Sequence, residues 1–249
     1  MSIKTILVSQ PEPESDKNPF TALAEKHKLR VDFRPFIHIE GIDPTDFRAQ
    51  KVDLKEHTAI ILTSKTAIDH YFRIAEECRF EVPSSMKYFC ISEAVAYYLQ
   101  KYVPFRKRKI FHGKQTIVDL MDAIKKHKKE KFLLPCSDIL RDSIPETLNQ
   151  HDIDYTKVVL YKTVASDLSD LEDVKYDCLV FFSPSGIESL LKNFPKFRQN
   201  STLIAAFGPT TAKAIVENNL RLDIHAPQPQ APSMTMALEN FIKDAKVKS

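Results

Sequence analysis

Six short runs of near-continuous apolar residues recur along the chain: TILVS (5–9), AIILT (59–63), KYFCI (87–91), KFLLP (131–135), CLVFF (178–182) and LIAAF (203–207). Uninterrupted apolarity over so few residues is what strands covered on both faces require. Helical periods follow most of the runs. After AIILT, the residues Ile68, Tyr71, Phe72 and Ala75 fall at i, i+3, i+4, i+7; after CLVFF, Ile187, Leu190, Leu191 and Phe194 do the same. That spacing is one face of an amphipathic helix. Strand and helix in alternation predict a parallel α/β architecture.

The pattern also repeats. AIILTSKTAIDHYF resembles CLVFFSPSGIESLLKNF, and KYFCISEAVAYYL resembles LIAAFGPTTAKAIV. RKIFHGKQTIVDLMDAI parallels RLDIHAPQPQAPSMTMALENFI, and the opening TILVSQPEP…LRVDFRPF parallels KFLLPCSD…IDYTKVVLY. Two copies of about 120 residues are far longer than a solenoid unit and predict two similar α/β domains. Ligands bind beyond the carboxyl ends of strands in such sheets, so the expected site is a cleft between the two domains.

Composition excludes several classes. The chain has 43% hydrophobic and 28% charged residues, and no apolar run approaches the ~18 residues of a membrane helix. The N-terminal MSIKTILVSQ reads as the start of a strand rather than a signal peptide. None of Cys78, Cys90, Cys136 and Cys178 forms a CxxC pair, and no HExxH occurs, so reduced thiols in a cytoplasmic protein and no metal are expected. The net charge of +3 is too small to imply nucleic acid. Two basic runs, 106–109 and 125–131, read as solvated helix ends and loops, or as a patch for an acidic ligand.

The stretch FFSPSGIESLLKNF (181–194) bears on chemistry. A nucleophile elbow needs a glycine before the serine as well as after it. A P-loop or a dinucleotide fingerprint needs more glycines than Gly41, Gly113, Gly186 and Gly208 supply. The local chemistry fits a helix start: Pro184 suits the first turn, and Ser185 with Glu188 reads as a capping box. Free N–H groups and hydroxyls at a helix start also bind anions. GPTTAKAI repeats the device with Gly208, Pro209, Thr210 and Thr211. Cap and carboxylate cradle both remain open for these residues.

FFSPSG (181–186), AFGPTTAKA (206–214), LLPCS (133–137) and VLYKTVA (159–165) together resemble the uroporphyrinogen-III synthase family, in the family's order and over nearly the whole chain. The resemblance implies an enzyme that cyclises hydroxymethylbilane to uroporphyrinogen III, with inversion of ring D through a spiro intermediate, on the way to haem and other tetrapyrroles. It implies no cofactor, a cytoplasmic monomer, no membrane or nucleic-acid partner, and a transient handover from the preceding deaminase. The implied fold is two flavodoxin-like, parallel-sheet α/β domains joined by a two-stranded antiparallel linker, RPFIHIE (34–40) and VLYKTVA (159–165). The domains would then be 1–35 with 165–249, and 36–164.

The resemblance also carries residue roles. Tyr161 matches a family tyrosine that assists hydroxide departure; packing as a strand aromatic is the competing role. Ser183, Ser185 and Gly186, then Gly208, Thr210 and Thr211, match substrate-binding helix starts. Thr63, Ser64, Lys65 and Ser92 are their counterparts in the other copy, and Arg141 matches a basic residue after LLPCS. The counterpart of GPTT reads Ile91-Ser92-Glu93-Ala94, without glycine or threonine, and SQPEPE stands where a basic residue often follows the first strand. These departures keep a second reading in view, a non-catalytic two-domain module that binds a tetrapyrrole or another polyanion.

Overall fold

A computed structural model describes residues 3–13, 18–140, 143–171 and 175–247. The chain divides into two compact units, Met1–His38 with Val164–Ser249, and Ile39–Thr163. In chain order the strands are β1 (Thr5–Val8), β2 (Arg30–Phe33), β3 (Ile37–Gly41), β4 (Ala59–Leu62), β5 (Lys87–Cys90), β6 (Ile110–His112), β7 (Phe132–Ser137), β8 (Tyr155–Ala165), β9 (Cys178–Phe181), β10 (Leu203–Phe207) and β11 (Ile224–Ala226). The helices are α1 (Pro19–His27), α2 (Pro44–Ala49), α3 (Lys65–Glu77), α4 (Glu93–Tyr98), α5 (Ile117–Lys126), α6 (Ser143–Gln150), α7 (Pro184–Asn193), α8 (Pro209–Glu217) and α9 (Met234–Val247).

The first unit holds a five-stranded sheet in the order β11-β10-β9-β1-β2; the six-stranded order is β3-β8-β7-β4-β5-β6. The pairs β1–β2, β1–β9, β9–β10 and β10–β11 are parallel, as are β4–β5, β4–β7, β5–β6 and β7–β8. With β3 set aside, the second order reads β8-β7-β4-β5-β6 and the first, reversed, reads β2-β1-β9-β10-β11. Every pair of similar segments in the sequence occupies matching places in these two orders. The repeat is therefore a repeat of topology.

Each sheet buries both faces. In β4, Ile60 and Leu62 join one apolar cluster while Ala59 and Ile61 join the other. In β9, Cys178 and Val180 split in the same way from Leu179 and Phe181. This is strand alternation with a helix layer on each side. Ile68, Tyr71 and Ala75 of α3 are at most 2% exposed, as their spacing predicts.

Two boundaries differ from the sequence reading. β7 runs past Pro135 to Ser137. Pro135 offers no N–H, and it lies beyond the β4 pairing, which runs Ala59↔Phe132 and Ile60↔Leu133. The β8 pairing carries the strand onward, and β8 itself begins earlier, at Tyr155.

Cys90, Cys136 and Cys178 are buried and free, and Cys78 is half-buried and free. Burial pushes the Cys136 thiol up to about 11 and the Cys90 thiol to about 12, which keeps both as inert thiols at neutral pH. Among the described residues no helix is long and apolar enough to cross a membrane, and no three His, Cys, Asp or Glu side chains gather as a metal-holding group.

α5 opens with a capping box: Thr116 Oγ1 accepts from the Asp119 N–H, and Asp119 accepts from the Thr116 N–H. The backbone N–H of Gln115 and then that of Thr116 hold the Asp119 carboxyl at about 2. A depressed carboxylate contributes stability that is complete above the ordinary value of 3.8 and is lost as pH falls through about 2. A carboxyl-carbon NMR titration should therefore find Asp119 titrating near 2; a midpoint near 3.8 would mean the box is open in solution.

Candidate functional site

In a parallel sheet all carboxyl ends lie along one edge, so the residues after each strand gather there. In the second unit these are Thr63–Ser64 after β4, Ile91–Ser92 after β5 and Ser137–Asp138 at the end of β7. In the first unit they are Ser9 after β1, Phe182–Ser183 after β9 and Gly208 after β10.

Serine caps the helix that follows at three of these ends. Ser64 Oγ accepts from the Ala67 N–H at 3.0 Å, Ser92 Oγ from the Val95 N–H at 3.4 Å, and Ser183 Oγ from the Gly186 N–H at 3.3 Å. Each hydroxyl uses one lone pair in capping and keeps its proton to donate. Cap and anion donor are thus compatible roles for one serine. At the end of β10, Gly208 takes φ 89°, a left-handed-side conformation that favours glycine, and its N–H donates to Ala226 O at 2.6 Å.

Helix α7 corrects the expected capping box. Its cap is Ser183, extended at φ −150° and ψ 154°, with Pro184 at the first helical position. Ser185 already lies inside the first turn, so it cannot cap with Glu188. Replacing Ser183 by alanine should cost about 1 kcal/mol of stability, against less than about 0.5 kcal/mol for Ser185→Ala, in urea unfolding. A larger loss at Ser185 than at Ser183 would return the cap to Ser185.

Tyr161 is the centre of the second unit's group. Its phenol oxygen lies 3.4 Å from Ser64 Oγ, and its ring stacks on His70 with centroids 5.0 Å apart and planes at 19°. A β-bulge places it: Cys136 pairs with Val159 but Ser137 pairs with Tyr161. The extra residue breaks the alternation of β8, so Leu160 and Tyr161, neighbours in sequence, join the same apolar cluster. Asp138 then fixes the end of β7 against β8, donating its N–H to Tyr161 O and accepting from the Thr163 N–H, both at 3.1 Å. Burial pushes the Tyr161 phenol above its ordinary value, with the Ser64 hydroxyl working against it. At neutral pH Tyr161 carries its proton.

His70 was not singled out by the sequence. Burial and then the Arg73 charge lower its pKa, so it is neutral. Arg73 Nε donates to His70 Nδ1 at 3.2 Å, which leaves the imidazole proton on Nε2. The same guanidinium donates to both carboxylate oxygens of Glu77 at 2.9 Å, and to Ile42 O at 2.9 Å and Leu160 O at 3.3 Å. A Cβ at Gly41 would stand 2.7 Å from Arg73 Cζ, so the glycine makes room for this fork.

The structure therefore brings Ser64 and Tyr161 together in the second unit, and Ser183 and Gly186 together in the first. Thr63 is half-buried, and Lys65 is exposed with its Nζ 5.3 Å from the Tyr98 ring centroid. Of the two threonines after Gly208, Thr210 is exposed whereas Thr211 is 1% exposed. Arg141 lies outside the described residues.

A family model described as uroporphyrinogen-III synthase HemD matches residues 18–236. The chain belongs to the uroporphyrinogen-III synthase family. Membership makes it an enzyme, a cyclising lyase of tetrapyrrole biosynthesis. The Saccharomyces cerevisiae uroporphyrinogen-III synthase is 30% identical over 139 residues, half of this chain and half of that protein's length. The Chlorobaculum parvum uroporphyrinogen-III synthase is 23% identical over 256 residues, covering 97% of this chain and all of that one. The crystal structure of Helicobacter pylori uroporphyrinogen-III synthetase aligns with a TM-score of 0.59 at 18% identity, over 97% of this chain and 99% of that one. At that identity the likeness concerns the fold, which is the two-domain α/β fold of this synthase family.

Proposed function

We propose that this chain converts hydroxymethylbilane to uroporphyrinogen III and that Tyr161 is its proton donor. The observation that carries the reading is the buried, protonated phenol held between the Ser64 hydroxyl and the His70 ring. The phenol gives its proton to the terminal hydroxyl of the bilane, which departs as water while the pyrrole nitrogen lone pair completes an azafulvenium. The freed methylene carbon bonds to the substituted α-carbon of ring D, giving a spiro intermediate. The bond from that carbon to its older bridge breaks and re-forms at the free α-position. The last ring then loses a proton, which restores the phenol, and the balance is one water lost.

Left alone, the bilane closes at the unsubstituted position and gives isomer I. The enzyme's main task is to hold one folded conformation of a flexible polyanion, and positioning of this kind supplies up to ~7–11 kcal/mol of a barrier. We assign the carboxylate seats to Thr63, Ser64, Lys65 and Ser92 in the second unit, and to Ser183, Ser185, Gly186, Gly208 and Thr210 in the first. To Thr211, which is 1% exposed, we assign a packing role beside that seat. We place the enzyme in the cytoplasm, in keeping with four free cysteines. We take it to be a monomer that receives its labile substrate directly from the deaminase that makes it.

The test feeds fresh hydroxymethylbilane to the purified protein, oxidises the products and separates uroporphyrins I and III. Type III should dominate over the protein-free control. Type I alone, at the spontaneous rate, would sink the reading and leave the polyanion-binding module.

A further inference from the structure

We propose that His70 is the positioning residue of Tyr161, and that Arg73 is the clamp that makes it so. The inference rests on the reading of Tyr161 as proton donor. Its own basis is geometric. The bulge at Ser137 frees Tyr161 from strand alternation, so the strand alone does not fix where its ring lies. The ring is fixed by what covers it: the His70 imidazole lies nearly parallel on it, and Ser64 Oγ meets its hydroxyl. The two groups come from the cap and the second turn of α3, six residues apart, so one rigid helix holds the face and the tip of the phenol together.

His70 is itself immobilised. Arg73 Nε holds its Nδ1, and the rest of the guanidinium is committed to Glu77 and to the Ile42 and Leu160 carbonyls. Leu160 is the residue before Tyr161, so the clamp ties the imidazole to the backbone that bears the phenol. Asp69, Arg73 and Glu77 are the charges on α3 that act on the imidazole, with Tyr161 facing it from β8. With Nδ1 occupied as an acceptor, the imidazole stays uncharged and leaves the phenol its proton. The bilane's hydroxyl therefore meets a donor already oriented, and misplacing such a donor by an ångström costs about 100-fold in rate.

The experiment is a double-mutant cycle on kcat and KM with hydroxymethylbilane, with melting temperatures for every variant. His70→Gln keeps an acceptor for Arg73 and removes the ring; His70→Phe keeps a ring and removes the acceptor. His70→Gln should lower kcat by about 10- to 100-fold with KM within about two-fold, whereas His70→Phe, whose ring Arg73 cannot hold, should recover only part of the rate. In a Tyr161→Phe background, His70→Gln should change kcat by less than about two-fold, because the hydroxyl it positions is gone. If Tyr161→Phe is slow but His70→Gln runs at the native rate, or costs the same in both backgrounds, the role of His70 is overturned while that of Tyr161 stands. If Tyr161→Phe runs at the native rate, both fall. A slow His70→Phe beside a fast His70→Gln would assign the effect to the Arg73 hydrogen bond and also overturn the proposal.

Discussion

Tyr161→Phe lowers kcat for type III product by about 100-fold or more, the scale set by a positioned general acid. Phenylalanine keeps the ring, its stacking on His70 and its place in the apolar cluster. What is lost is one hydroxyl and a long 3.4 Å contact to Ser64, worth about 1 kcal/mol at most. Ser64 still caps α3 through the Ala67 N–H. The melting temperature should accordingly move by only a few degrees, and the product that does form should shift towards type I as spontaneous closure competes. Initial rates by isomer separation, with melting curves alongside, are the measurement. A Phe variant within about three-fold of the native rate would make Tyr161 a packing residue.

The second large effect is on stability. Phe89 is fully buried at the middle of a ring cluster, with Phe111 at 4.9 Å, Phe132 at 5.2 Å and His127 at 5.5 Å between centroids. These rings come from β6, β7 and the end of α5, so they cannot all close over a missing one. Phe89→Ala should cost about 3–5 kcal/mol and lower the melting of the second unit by about 10–20 °C, read by calorimetry. Val118→Ala, at 65% exposed on α5, is the control and should stay within about 0.5 kcal/mol. A loss below about 1 kcal/mol at Phe89 would mean the site collapses around the cavity.

Strands such as AIIL of β4 and LIAAF of β10 were legible because burial on both faces leaves no polar residue to blur them. The serine after β4 and the serine after β9 were legible as a pair for the same local reason, a cap beside an apolar run. The place of Tyr161 was not. It depends on a bulge, and a bulge is a property of two strands in register; Ser137 and Tyr161 are far apart in sequence. His70 and Arg73 were hidden because each looks like an ordinary helix-surface polar residue until β8 lies beside them. Gly41 counted in the sequence only as one of four glycines, and the structure shows that it admits a guanidinium. Ser185 with Glu188 matched a sequence pattern, but Pro184 fits best at the first helical position, and that sets the cap one residue before it.

The strand order of the first unit also sets a timetable for synthesis. β9, which pairs with β1 through Ile6↔Cys178, is made only after the whole of Ile39–Thr163. At about 5–20 residues per second, the ribosome spends roughly 6–25 seconds on that interval. Through it β1, apolar on both faces, waits with one side of its ladder unfilled, while the Asp177 carboxylate that will receive the Lys4 and Thr5 N–H groups does not yet exist. An open apolar strand edge invites pairing with another chain. The inner unit is continuous in sequence, whereas the outer one is completed only after it, and a stall anywhere between 39 and 177 leaves the β1 edge exposed.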